Sequence, residues 1–449
     1  MREYGKCRGL KKHVLAETQS YVVPSRSICI PLRKSCHHAA LPLFMRGMAT
    51  IAILGTMDTK GDEHGFVAEQ IRARGHKTLV IDVGTDQPPR LTPDITREEV
   101  ASIGGIDLPA LVERHDRGEC VAAMGNAAAS VLLKLLSEWR IDGVISLGGG
   151  GGTSICTTAM RALPLGFPKL MVSTLASGNT AQYVGVKDIV MMPSIVDVAG
   201  LNRISRVILT RAAGAICGMV EAVIPHADDK PIIVASMFGN TTDCVQRAKR
   251  LCEDAGYEVL VFHATGTGGK TMESLIESGL AAGVLDITTT EWADELVGGV
   301  LGAGPTRLEA AGKAGIPAIV TPGCLDMVNF GAPDTVPAEF SNRLFYQHNP
   351  QVTLMRTSPN ECTELGRILA EKVNAYTGPV AVLFPFKAIS IISARGGVFY
   401  NPAANAALLT SLKRHLDPRI PFIEMDCEIN DPAFAKACAN TLLEMLQKN

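Results

Sequence analysis

The stretch GVISLGGGGGTSICTTAMR, residues 143–161, decides how the chain is read. Gly143–Leu147 is the kind of short run that forms a buried parallel strand. Five consecutive glycines, Gly148–Gly152, follow it, and from Thr153 onward the pattern becomes helical. Glycine costs conformational entropy on ordering and adds no side-chain packing. A tight turn needs only one or two. Five at a strand-to-helix junction let backbone N–H groups approach a phosphate or carboxylate, with a helix N-terminus behind them. Thr153 and Ser154 are placed to cap that helix or to bond the same anion.

The same alternation of short apolar runs and helical periods extends outward from this junction. Upstream, TIAIL (50–54) reads as a strand and GTMDTKGDE (55–63) as a turn opening a helix to about Arg74. Lys77–Asp82 is a second strand, and helical stretches cover about 107–117 and 120–138. Downstream come the strands Lys169–Ser173 and Asp188–Met192 and a helix over 202–222. After the polar break HADDKP (226–231) the programme restarts. Strands fit 231–236, 257–263, 283–287, 317–321, 380–384 and 421–425, and a closing helix fits 431–447. This pattern predicts an α/β protein of two Rossmann-like subdomains, 48–227 and 228–449, with mainly parallel sheets and an interdomain cleft. Ligands of such sheets sit outside the carboxyl ends of the strands. Residues 1–47 carry nine Lys/Arg against Glu3 and Glu17 and show no period. They read as a disordered or mis-assigned N-terminal extension.

Composition narrows the function classes. Of 449 residues 47% are hydrophobic and 20% charged, and 43 are glycine, which suits large parallel sheets with glycine-bearing turns. A net charge of −2 gives no footprint for nucleic acid or an anionic membrane. The most membrane-like stretch, Val207–Ile224, carries Arg211 and Glu221 and reads as an amphipathic helix. Twelve scattered cysteines without a CxxC pair read as reduced core thiols, which places the chain in the cytoplasm.

Several loops after strands carry candidate chemistry. HATGTGGKT (263–271) imitates a P-loop, with Ala264 where the first glycine would stand. There Gly266, Gly268, Gly269 and Lys270 would contact phosphates, Thr271 would hold Mg²⁺, and Asp286 would be the second metal residue. Its place after the second strand of its domain favours a phosphate-contacting glycine loop over an NTPase. Ser177-Gly178-Asn179-Thr180 offers hydroxyls and free amides. Asp58 and Lys60 lie at the turn after the first strand, and Asp286 and Glu291 flank the run ITTT (287–290). These four are the candidate catalytic groups. Asp62 and Glu63 suit the first turn of a helix. Cys324 has no histidine at a spacing that would make it a nucleophile.

GTMDTKGDE, GGGGGT, SGN with MMPSIVDVAGLNRI, SMFGNTT, HATGTGGK, DITTTEWADEL, PGCLDMVNFG and HNPQVTLMRT together resemble one family over about 48–447. It is the Tm-one-like ATP-binding domain family, related to the N-terminal inhibitory domain of the tomato mosaic virus resistance protein. The resemblance implies two Rossmann-like subdomains, a homodimer or higher homo-oligomer, and ATP binding. It implies nucleotide contacts at Gly149, Gly150, Gly151, Gly152 and Thr153, with the 177–180 loop and Gly266–Lys270. The viral partner of the plant protein is not carried over. The expectation is an ATP-binding protein, with Mg²⁺ as companion ion, acting on a small metabolite in the interdomain cleft. The alternative is a non-catalytic module whose assembly the nucleotide gates.

Overall fold

The computed structural model describes residues 48–225 and 229–448. The expectations for residues 1–47 and the boundary at 227/228 lie outside them. β1 (Thr50–Gly55), β2 (Lys77–Asp82), β3 (Gly143–Gly148), β4 (Lys169–Ser173) and β5 (Val190–Pro193) pair in the order β2-β1-β3-β4-β5. Every pairing is parallel. In β1 the two-residue side-chain period splits the core. Ile51 and Ile53 face the helices Met57–Arg72 and Arg203–Glu221. Ala52 and Leu54 face the helices Arg117–Ser137 and Gly150–Arg161. Burying Ile51 and Ile53 completely contributes about 1.5–3 kcal/mol each.

The second domain repeats the winding and extends it. Its strands are β6 (Ile232–Met237), β7 (Glu258–His263), β8 (Ala281–Thr288), β9 (Ala318–Gly323), β10 (Met327–Phe330), β11 (Phe345–Asn349), β12 (Val352–Arg356), β13 (Val380–Pro385) and β14 (Phe422–Met425). Six of them form a parallel sheet, β14-β13-β9-β8-β6-β7. Between β9 and β13 the chain inserts an antiparallel sheet, β10-β12-β11, which the sequence reading did not anticipate. In both parallel sheets the winding reverses beside the first strand, between β1 and β3 and between β6 and β8. That reversal opens a crevice at the carboxyl ends.

Two expectations need correction. The helix over residues 150–161 begins at Gly150 with Gly149 as its N-cap, three residues before Thr153, so three glycines form its first turn. The helix Arg117–Ser137, not Val207–Ile224, has the length and mean hydropathy (1.5) of a membrane span. Its apolar face, including Met124, Val131, Leu132 and Leu135, packs into the core of the first domain instead. All nine cysteines among the described residues are buried and free.

Candidate functional site

The reversal between β1 and β3 opens a cavity of about 560 Å³ at the carboxyl edge of the first sheet. Three elements wall it. The turn after β1 supplies Thr56, Asp58, Thr59 and Lys60, the loop after β2 supplies Val83, Thr85 and Asp86, and Gly148–Gly152 closes it from β3. Val112, His115, Asp116, Arg117, Cys120, Val121 and Ile155 complete the lining, so all of it comes from the first domain.

The amides of Gly150–Gly152 form the first turn of a helix of 12 residues and receive no side-chain cap. Such amides lack acceptors within their own helix and carry the positive end of its dipole. None of Gly149–Gly152 has a positive φ. A Cβ on Gly149, Gly150 or Gly152 would meet nothing closer than 3.7 Å, and on Gly151 nothing closer than Arg117 Nη2 at 3.3 Å. The protein's own packing therefore does not require glycine at these four positions. The same measurement places the Arg117 guanidinium over the loop. An arginine in the first turn of the helix Arg117–Ser137 opposes that helix's dipole.

The acidic side of the cavity is built on β1 and β2. Asp82 is buried and accepts hydrogen bonds from the Met57 amide (2.9 Å) and the Gly84 amide (2.8 Å). Burial, with Asp58 nearby, pushes its pKa up. Asp58 is only 3% exposed. Its Oδ2 accepts from the Asp86 amide at 3.1 Å, while Oδ1 has no hydrogen-bond partner. The helical turn is broken at Lys60, whose φ is −127°. His64 Nδ1 donates to the Lys60 carbonyl at 2.7 Å. Burial holds the His64 pKa below its ordinary value.

Asp58, Lys60 and Gly149–Gly152 are thus brought together, but Thr153 is not. Its hydroxyl is buried and shares a 2.7 Å hydrogen bond with Ser173 Oγ, tying the helix to β4. Ser177 lies in a neighbouring cavity of about 350 Å³ at the ends of β4 and β5, with Thr174, Ser194 and Asp197. Asn179 Oδ1 accepts from the Ala181 amide at 3.0 Å and so fixes the 177–180 loop. Sequence reasoning missed Asp86, His115, Asp116 and Arg117, because the 83–117 segment has no motif to mark it, and it quoted Thr56 only as part of the turn GTMDTKGDE.

The remaining candidates belong to the second domain and serve a different purpose. Glu291 Oε1 accepts from the amides of Gly266 (2.7 Å) and Gly269 (3.0 Å). These amides, which a P-loop would offer to phosphate, are taken by the protein's own carboxylate. Gly266 has φ +77°, and Cβ atoms on Gly268 and Gly269 would collide with the His263 carbonyl and the Glu291 carboxylate. Here the fold itself demands glycine. Lys270 is exposed.

Arg307, 1% exposed, binds Asp286 through two bonds of 2.6 Å, Glu291 at 2.7 Å and Glu273 at 3.0 Å. Despite its burial, these carboxylates hold the guanidinium pKa well above the ordinary value. Asp286 and Glu291 are therefore components of a buried ion cluster. The crevice between β6 and β8 is filled by Ser236, Thr241 and Thr288, which are buried, with Thr241 and Thr288 hydroxyls 2.7 Å apart. Met327 and Leu354 of the antiparallel insertion pack there with Cys324 and Phe399 against Phe238. Among the described residues no group of three or more His, Cys, Asp or Glu is arranged to hold a metal ion.

Comparison with known proteins gives a consistent picture along the chain. The N-terminal domain of the uncharacterised protein family UPF0261 matches residues 49–225, and the C-terminal domain matches residues 230–446. A UPF0261 protein of Clostridium tetani is 50% identical over 400 residues, covering 89% of this chain and 99% of that protein. The ToMV resistance protein Tm-1(GCR237) of Solanum lycopersicum is 38% identical over 419 residues, 88% of this chain and 56% of that protein. This chain therefore spans just over half the tomato protein's length. Among solved structures, the Streptomyces sp. SF2575 glycosyltransferase SsfS6, complexed with thymidine diphosphate, aligns over 89% of this chain and 96% of that one. The identity is 12% and the TM-score 0.18, too low to carry any argument.

Proposed function

The chain belongs to the UPF0261 family, and we propose that it is an ATP-binding protein whose first domain holds the nucleotide in the β1/β3 crevice. One observation carries this reading. The four glycines 149–152 are demanded neither by backbone conformation nor by neighbouring atoms, yet they bare the uncapped first turn of a helix beside Arg117. A phosphate accounts for that arrangement, since it takes backbone amides, a helix dipole and a guanidinium together. A cavity of about 560 Å³ lies in the range used for cofactors. Lys60 supplies a second cation at the wall. Mg²⁺ would arrive on the phosphates, as it commonly does.

Calorimetric titration with ATP and Mg²⁺ tests the proposal. Gly150→Val and Gly151→Val should abolish binding while leaving the folded domain intact, because a Cβ at Gly150 meets nothing closer than 3.9 Å and one at Gly151 only the end of the flexible Arg117 side chain at 3.3 Å. No heat and no thermal shift at millimolar ATP would remove the proposal. Of the candidate catalytic groups at this cavity, Lys60 is the one that would act on a second small molecule. ATP consumption with cell metabolites separates that enzyme from a module in which ATP only gates assembly. A cytoplasmic homo-oligomer belongs to the same reading.

A further inference from the structure

The cavity has two chemically opposite walls, and a phosphate accounts for only one. Strand order places the ends of β2 and β3 on either side of β1, roughly 10 Å apart at about 4.8 Å per strand. The β3 wall presents amides and Arg117, with Asp116 next to Arg117. The β2 side presents Asp86, with Asp58 and Lys60 on the β1 turn between β2 and β3, and the hydroxyls of Thr56, Thr59 and Thr85. A phosphate on the acidic side would face carboxylates. Asp58 is nine-tenths buried with Oδ1 unpartnered, although buried carboxylate oxygens are ordinarily hydrogen-bonded. Its other oxygen is held by the Asp86 amide, so the two residues form one unit.

Resting on the nucleotide reading above, we infer that Asp58 and Asp86 accept hydrogen bonds from the vicinal hydroxyls of a ribose. The site then selects ribonucleotides over deoxyribonucleotides. In doubly wound sheets an acid just past the second strand commonly meets the sugar of a nucleotide, with the glycine turn on the adjacent first strand; here the glycine turn follows β3, one strand farther away. Apolar Val112, Val121 and Ile155 line the same cavity and accommodate the uncharged part of the ligand.

The test is calorimetric titration of the full chain with ATP, 2′-deoxy-ATP and 3′-deoxy-ATP, each with Mg²⁺ and with EDTA. Wild-type protein should bind at least one deoxy analogue about tenfold or more weaker than ATP, the loss typical of a hydrogen bond to a charged group. Asp86→Ala, at an exposed position, and the isosteric Asp58→Asn should narrow that ratio toward one while still binding 2′-deoxy-ATP. Equal wild-type affinities for all three nucleotides would overturn the inference while leaving the nucleotide reading intact. So would an Asp58→Asn effect seen only with Mg²⁺, since it would make the residue a metal contact. If wild type binds none of the three, the nucleotide reading itself falls.

Discussion

Replacing Arg307 by Met isolates the energetics of the second domain's ion cluster. The substitution keeps an unbranched apolar stem and removes the cation that pairs with Glu273, Asp286 and Glu291. Each carboxylate keeps some donors. Glu291 has the Gly266 and Gly269 amides, Glu273 has those of Leu308, Glu309 and Ala310, and Asp286 has the Ser236 hydroxyl. Removing one partner from a buried ion pair costs about 3–5 kcal/mol, and here three anions lose theirs together. The loss at pH 8 should therefore reach the top of that range, about 5 kcal/mol. Asp286, with two bonds to the guanidinium and one hydroxyl, contributes most. The domain can soften the loss by protonating Glu273, whose pKa burial already raises against the opposing pull of Arg307. In the variant the Glu273 pKa rises further once the opposing pull of Arg307 is gone, so the folded state binds more protons and the deficit shrinks as pH falls toward 5. The assay is urea unfolding followed by tryptophan fluorescence. The chain has two tryptophans, Trp139 in the first domain and the buried Trp292 in the second, which separates the two transitions. A loss below about 1 kcal/mol at pH 8, or one independent of pH, would refute the account.

The contrast between the two glycine loops gives an immediate comparison. Gly269→Ala should cost about 2–4 kcal/mol, because its Cβ displaces the Glu291 carboxylate from its amides. Gly150→Ala should be neutral or stabilising by up to about 1 kcal/mol in the same urea assay, while weakening ATP binding. Thr153→Val should lower stability by about 1–2 kcal/mol through the lost Ser173 bond, yet leave ATP affinity within about twofold, since the hydroxyl is committed to β4. The Asp294 carboxyl is pushed up to about 7, chiefly by burial. With a folded pKa above the unfolded value of 3.8, its contribution is complete below that value and is lost as pH rises to about 7. The slope is at most about 1.4 kcal/mol per unit, and Asp294→Asn should flatten it. His64 gives the opposite sign in the first domain. Its lowered pKa means stability falls as pH drops below 6.5, and thermal scans of a His64→Asn variant should show a shallower decline.

The parallel sheets were legible because buried parallel strands are short apolar runs set between helical periods. β2 and β4 fall on the expected residues, and β1, β3 and β13 end one residue later than expected. The antiparallel insertion escaped because its signals are not local. β10 is buried throughout and shows no alternation, while β11 is a mostly exposed edge strand, Phe345–Asn349, with polar residues. Helix 359–374 did carry a readable capping box, Ser358 with Glu361. In the candidate site the glycine run announced itself, because backbone composition is visible in one dimension. Whether a glycine is bared to a ligand or wedged against a carboxylate is not. Gly150 and Gly269 look equivalent as letters, and only the position of Glu291, 22 residues beyond Gly269, tells them apart. Asp86 and Arg117 were invisible for a related reason, since they meet the loop only when β1, β2 and β3 lie side by side.

The filling of the second crevice by the antiparallel insertion fixes a number that a titration reads directly. Two sheets wound alike would suggest two nucleotides per chain, as in a duplicated receptor with paired sites. With Met327, Leu354, Thr241 and Thr288 occupying one of the two places, saturation should come at one equivalent of ATP per chain. A homodimer would then take up two, one from each copy, and any departure of its binding curve from a simple hyperbola would report communication between copies rather than between domains.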